Sequence, residues 1–329
     1  MRRRIACLSL CLLLQHASPV HAEAPGTVSL FARLRWAQFQ LVLGRIEVAN
    51  IPSSQSRTAA SEGVDLVEKL SISGDTDIPS VRYERLTPNE LVTITVIDGD
   101  RVEIDRVATS ALAAVPVRFR QNPEADVHLR IGEDADTQTH RAPTLWHLMV
   151  ASPEACELHL LPLLELMQPS WKFGEMLSRT TDELIREAAT SDFDTRHAAR
   201  GLIAKLKSPE FETRQQAQIQ LRQLGLGVLP YLSHMTDSEL TREQQRRLEQ
   251  VRIELRGKEA DSPERLALWL VEDERIWLSM LAHDELPIRA LAASHLAKRF
   301  AKPIDYDPEG TPLERQQQVA RIRTRIVRR

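Results

Sequence analysis

The spacing of apolar residues changes period near residue 140, and this change limits the fold more than any other feature of the sequence. From about 64 to 131, apolar and polar side chains alternate: Leu70/Ile72, Val81/Tyr83, Val92/Ile94/Val96, Val102/Ile104, Val117/Phe119 and Val127/Leu129/Ile131. A period of two turns one side of each segment to a core and the other to water, as in half-buried antiparallel strands. Asp98-Gly99 separates two of these segments and suits a tight hairpin turn, because glycine tolerates positive φ. The sequence predicts about six short strands in a small sandwich or open barrel. Residues 27–49 carry two signals. Leu30, Phe31 and Leu34 suit a helix, while Phe39, Leu41 and Leu43 alternate, so a helix leading into a first strand is expected. Residues 50–63 read as a Ser/Ala/Pro loop, and Glu133 to His140 as a polar linker.

From residue 143 the period is that of helices. Residues 143–150 form a short one, 153–168 a leucine-dense one that Pro162 should kink or split, and 172–188 another. A repeating pattern begins near Ser191. Arg196 is followed by Ala199, Ile203 and Leu206. Arg214 is followed by Ala217, Leu221 and Leu224, and Arg289 by Ala292 and Leu296. Between 208 and 232, Ser208 is placed to cap a helix, Pro209 to occupy its first position and Gly225 to end it. Val228, Leu229 and Leu232 then restart an apolar face. Ser-Pro-Glu recurs at 152, 208 and 262, each time as a helix start. One helix pair cannot bury both of its faces, so such units need stacked neighbours.

The acidic-x-Arg-x-x-Ala-x-x-x-Leu-x-x-Leu helix around Arg214, the Gly225 turn and Val228-Leu229-Pro230 resemble HEAT-like repeat proteins. The resemblance is good for that unit, partial at Arg196 and Arg289, and absent from the N-terminal half. The Arg196 and Arg214 helices are too close for full units, so the array is irregular. The resemblance implies an α-solenoid with a protein-binding surface, and no catalytic residues. The expected fold is α+β: a β-rich domain over 23–138, a helical connecting block over 139–190 and a HEAT-like repeat domain over 191–329.

Residues 1–22 read as a signal peptide. Arg2, Arg3 and Arg4 precede an apolar run from Ile5 to Leu14, and Val20-His21-Ala22 offers small residues for cleavage after Ala22. Export to a periplasm or beyond is the expectation. The chain has 43 Lys and Arg against 46 Asp and Glu. Loss of three arginines would make it more acidic, which argues against nucleic acid as a partner. Cys7 and Cys11 would leave with the leader, and Cys156 alone cannot form an intrachain disulfide.

Several groups of residues have spacings that bear on chemistry. Cys156 and His159 have the spacing of some zinc sites, with His140 and His147 nearby, but zinc wants more such ligands and Cys156 sits in a leucine-rich helix. Asp305, Asp307, Glu309 and Gly310 resemble the first half of a calcium loop. Its twelfth position is Gln316, and a Thr311/Glu314 capping box accounts for the segment. Glu133, Asp134 and Asp136 read as solvated acids. Arg118, Arg120, His128 and Arg130 should face outward, and Tyr83 and Phe119 inward. No nucleophile elbow, HExxH or phosphate-binding glycine loop occurs. No metal, cofactor or catalytic residue is expected.

The weak binding candidates are arginines. Arg196, Arg214 and Arg289 occupy equivalent helix positions and either form a ladder for an acidic partner or bond to the adjoining turn and order the stack. The tail carries Arg315, Arg321, Arg323, Arg325, Arg328 and Arg329 beside Val319, Ile322 and Ile326, either as a closing helix or as a basic face for an anionic surface. The favoured function is an exported, non-enzymatic interaction protein that holds a protein partner on its helical surface. The alternatives are an enzyme with a site at the β/helical junction, near Thr144-Leu145-Trp146-His147, and a polyanion or cell-wall binder using the tail.

Overall fold

The computed structural model describes residues 28–51, 56–73, 80–110, 115–190, 195–233, 235 and 240–327, with no side-chain description at 135 and 325–327. An antiparallel β region comes first and a helical region follows, so the fold is α+β. The strands are β1 (Gln38–Val42), β2 (Arg45–Asn50), β3 (Arg57–Glu62), β4 (Val67–Ser73) and β5 (Ser80–Leu86). They continue with β6 (Glu90–Ile97), β7 (Arg101–Ala108), β8 (Val117–Gln121), β9 (Val127–Ile131) and β10 (Gln138–Ala142). β1 and β2 form a separate hairpin, and β3 to β10 form one sheet in chain order, each strand antiparallel to the next. The alternating residues form its buried face, with Leu70, Tyr83, Ile94, Ile104, Phe119 and Leu129 all at 0% exposure. The β6–β7 turn takes positive φ at Asp98 and Gly99, as the sequence requires.

Three strands were not expected: β2, which turns the single first strand into a hairpin, and β3 and β10. β3 lies in the expected loop and β10 begins in the expected linker. β3 and β10 are edge strands whose side chains mostly face solvent, so burial imposes no alternation on Arg57–Glu62 or Gln138–Ala142. The short helix α1 (Leu30–Leu34) precedes β1, with Leu30 and Phe31 buried. Buried Glu68 of β4 holds it by accepting from Leu30 N, from Arg33 and from the Tyr83 hydroxyl.

The helices after the sheet are α2 (Leu145–Ala151), α3 (Pro153–Ala155), α4 (Leu161–Met167), α5 (Phe173–Thr190), α6 (Thr195–Lys205) and α7 (Phe211–Gln223). Then come α8 (Leu229–Ser233), α9 (Arg242–Arg256), α10 (Pro263–Leu270), α11 (Glu274–Met280), α12 (Leu286–Arg299) and α13 (Pro312–Val327). The disturbance expected from Pro162 is a π-helical turn over Cys156–Leu160, closed by Leu161 N donating to Cys156 O. Proline cannot donate an amide to the preceding turn, and the chain takes up the extra residue there. Ser262 caps α10, accepting from Arg265 N at 3.2 Å. The same expectation fails at 208: α7 begins at Phe211 with Glu210 as its cap residue, while the Ser208 hydroxyl accepts from Glu210 N outside the helix. Gly225 has φ +71 at the helix end, as expected.

Apolar packing does not divide at residue 139. One core runs from Leu30 through the sheet and α2, α4 and α5 to α10–α13, ending at Ile322. A second, smaller core holds Ala199, Leu202, Ile203, Ala217, Leu221, Val228, Leu248 and Val251. Among the described residues, no helix is long and apolar enough to cross a membrane.

Candidate functional site

The junction of strands and helices is fixed by the segment after β10. Leu145 N donates to Gly44 O in the β1–β2 turn, and Trp146 Nε1 donates to Asp261 Oδ2 at 2.7 Å. The Asp261 carboxylate also accepts both turn amides, Leu43 N at 2.6 Å and Gly44 N at 2.8 Å. Leu43 and Gly44 both have positive φ, so this turn exposes its two amides side by side. Burial pushes the Asp261 carboxyl above its ordinary range, against the pull of these three donors.

Next to it lies a buried polar chain. His147 Nδ1 is 2.8 Å from Thr144 Oγ1, and His147 Nε2 is 3.0 Å from Asp273 Oδ2. Asp273 also caps α11 through Arg275 N. Burial raises the Asp273 carboxyl, but the His147 hydrogen bond and charge, with Arg275, outweigh it and hold the group at about 2. With Asp273 ionised, His147 donates to it from Nε2, and Nδ1 makes the hydrogen bond with the Thr144 hydroxyl. Such an order of groups is that of an activated hydroxyl. Here the Thr144 hydroxyl faces the hairpin turn, where a Cβ added to Gly44 would lie 2.7 Å from Thr144 Oγ1. The chain fastens β10–α2 to α11 and presents no hydroxyl to the clefts beside it.

One of those clefts, of about 730 Å³, opens beside His147. Arg141 at the end of β10, Arg196 of α6, Arg275 of α11, Arg299 of α12 and Arg323 of α13 line it, with Glu272 and Glu274 as its carboxylates. Arg299 is committed, with Nη1 2.7 Å from Glu272 and Nε 3.7 Å from Glu274. Arg196 lies over the Tyr231 ring at 5.4 Å and 3.8 Å from Glu274. Arg141 and Arg323 are exposed, and neither is paired with an acid among the described residues. Five guanidinium groups against two carboxylates give the cleft a positive field, and guanidinium matches carboxylate with two parallel hydrogen bonds.

The three arginines placed together by sequence separate in space. Arg214 Nη1 donates to Ser208 O and Pro209 O, both at 2.8 Å. Arg289 Nη1 donates to His283 O at 2.8 Å and Asp284 O at 2.6 Å, the same two offsets, and its Nε reaches Pro308 O. These two staple the turn before their own helices. Arg196 alone of the three lines the cleft. In the tail, Arg321 lies 3.9 Å from Asp305, Arg315 donates to Gly310 O, and the Arg325 side chain, Arg328 and Arg329 lie outside the described residues. Val319 and Ile322 are buried.

The other constellations have local partners. Cys156 is buried and its thiol is pushed up to about 12 by burial and by Glu157, while His159 Nδ1 is 3.2 Å from Arg106. Arg118 and Arg120 pair with Asp105 on the outer face of the sheet, and Arg130 donates to Thr137. Asp307 accepts from Glu309 N, and Thr311 with Glu314 forms the capping box of α13. Among the described residues, no group of three His, Cys, Asp or Glu side chains is arranged to hold a metal ion. Asp261, Asp273, Arg141 and Tyr231 were not singled out from the sequence. Their roles arise from contacts across more than 100 residues for the two acids, and no local pattern marks them. No protein-family model matches this chain, no curated protein is significantly similar to it, and no solved structure matches it.

Proposed function

We propose that this chain is an exported, non-enzymatic interaction protein that holds an acidic segment of a partner protein in the arginine-lined cleft. The observation that carries the reading is the exposed pair Arg141 and Arg323, unpaired with acids among the described residues, facing a cleft that Arg196 and Arg275 also line. A segment bearing Asp or Glu would exchange water for bidentate guanidinium contacts, and Tyr231 under Arg196 offers an apolar anchor at the cleft wall. Export rests on the leader-like residues 1–22. A HEAT-like origin for the helical half draws support from Arg214 and Arg289, which make the same pair of carbonyl contacts at the same offsets. Polyanion binding by the tail has less support, because Arg315 is bonded to a carbonyl and Val319 and Ile322 bury the apolar face of α13.

The test is site-directed photocrosslinking. A photoreactive residue at Phe300, which lines the cleft, is irradiated in cells and the crosslinked peptide is sequenced. An acid-rich partner peptide, lost from an Arg141→Ser/Arg323→Ser variant, is the expected result. Crosslinks that are unaffected by those changes, or that carry no acidic residues, would refute the reading.

A further inference from the structure

A second cleft, of about 1070 Å³, adjoins the first at Ala151, Ser279 and Arg323 but has the opposite character. It lies between α2 and the π-helical turn, α5, and the α11–α12 connection. Its walls are apolar at Met149, Leu177, Ile185 and Met280. Its acids are Glu154, Glu157, Asp182, Asp284 and Glu285, all exposed, with Arg323 as the opposing cation. Among the described residues, none of the five is in an ion pair. Two polar atoms in the lining have no hydrogen-bond partner among the described residues. Thr180 is 3% exposed, yet its Oγ1 makes no hydrogen bond among the described residues. His140 bonds Ser152 through Nδ1 and leaves a buried Nε2 without one. A buried polar atom left unpaired costs stability.

We propose that this cleft is a second binding site, for a basic peptide segment with an apolar face, presented by a partner protein. Charge decides the sign of the occupant: five unpaired carboxylates select Lys or Arg. The apolar walls require hydrophobic side chains beside those cations. The volume is at or above the upper end for small-molecule sites and suits a peptide docked in a groove. The site adjoins the arginine cleft, which takes the opposite charge.

The test pans a random dodecapeptide display library on the full chain and on two variants. The expected winners are basic and apolar. Glu154→Gln/Glu157→Gln/Asp284→Asn should weaken them by roughly tenfold. Arg141→Ser should leave them unchanged, which separates this site from the first. An acidic or empty pool of winners, capture of small amines without peptides, or binding indifferent to the triple variant would overturn the proposal.

Discussion

Asp261 takes the indole N–H of Trp146 on the same oxygen that accepts Gly44 N, at 2.7 and 2.8 Å. One carboxylate from the helical region thereby fastens both the tip of the β1–β2 hairpin and the start of α2. Asp261→Ala would leave the Leu43, Gly44 and Trp146 donors unpaired in a buried place. Each such loss costs about 1–3 kcal/mol, so a total of at least about 3 kcal/mol is expected in urea unfolding. A loss under 1 kcal/mol would mean that water replaces the carboxylate freely.

Gly44 and Gly201 should respond in opposite directions to the same substitution. Gly44 has φ +69, and a Cβ there would meet Thr144 Oγ1 and Trp146 Cδ1 at 2.7 Å. Gly44→Ala combines backbone strain with a clash against rigid neighbours and should cost about 3 kcal/mol or more. Gly201 lies inside α6 with nothing within 4 Å of the added methyl. Gly201→Ala should stabilise by about 0.5–1 kcal/mol. Paired unfolding curves check both signs.

Two buried groups should make stability fall on acidification. Burial, with the charge of Arg299, depresses His295 from 6.5 to about 4. The unfolded chain therefore binds more protons between these values, and stability rises with pH across them. That contribution is complete above pH 6.5 and is lost as pH falls through 4. Asp273, held at about 2 against an ordinary 3.8, adds a second loss between pH 4 and pH 2. The Tm should therefore fall in two stages on acidification. His295→Gln should flatten the upper stage alone, while a slope unchanged by that substitution would assign the first stage to other groups.

Arg214 and Arg289 should matter for folding, not for binding. Alanine at either position frees two carbonyls of the preceding turn, and at Arg289 a third, Pro308 O. A loss of about 1–3 kcal/mol is expected, with affinity for an acidic ligand unchanged in the folded fraction. Affinity that fell with either change would place these arginines at the binding surface.

The strands with a dry side were legible because burial imposes period two on them, from Leu70 to Ile131. β3 and β10 were illegible because edge strands expose their side chains to water on both faces of Arg57–Glu62 and of most of Gln138–Ala142. Arg196 was visible as a candidate, but its separation from Arg214 and Arg289 was not. All three share one helical pattern, and only packing against α8 and α11 turns Arg196 toward the cleft. Asp261 and Asp273 were unreadable for a different reason: an acid before a helix is ordinary in sequence, and its partners lie far back in the chain.

Calorimetric titration with a glutamate-rich dodecapeptide, in the full chain and in Arg141→Ser/Arg323→Ser, tests the acidic-segment cleft most directly. Neither arginine is paired with an acid among the described residues, so the Tm should hold while affinity drops by roughly tenfold, and the wild-type affinity should fall with added salt. Equal affinities in the two proteins, or no heat of binding in either, would contradict it.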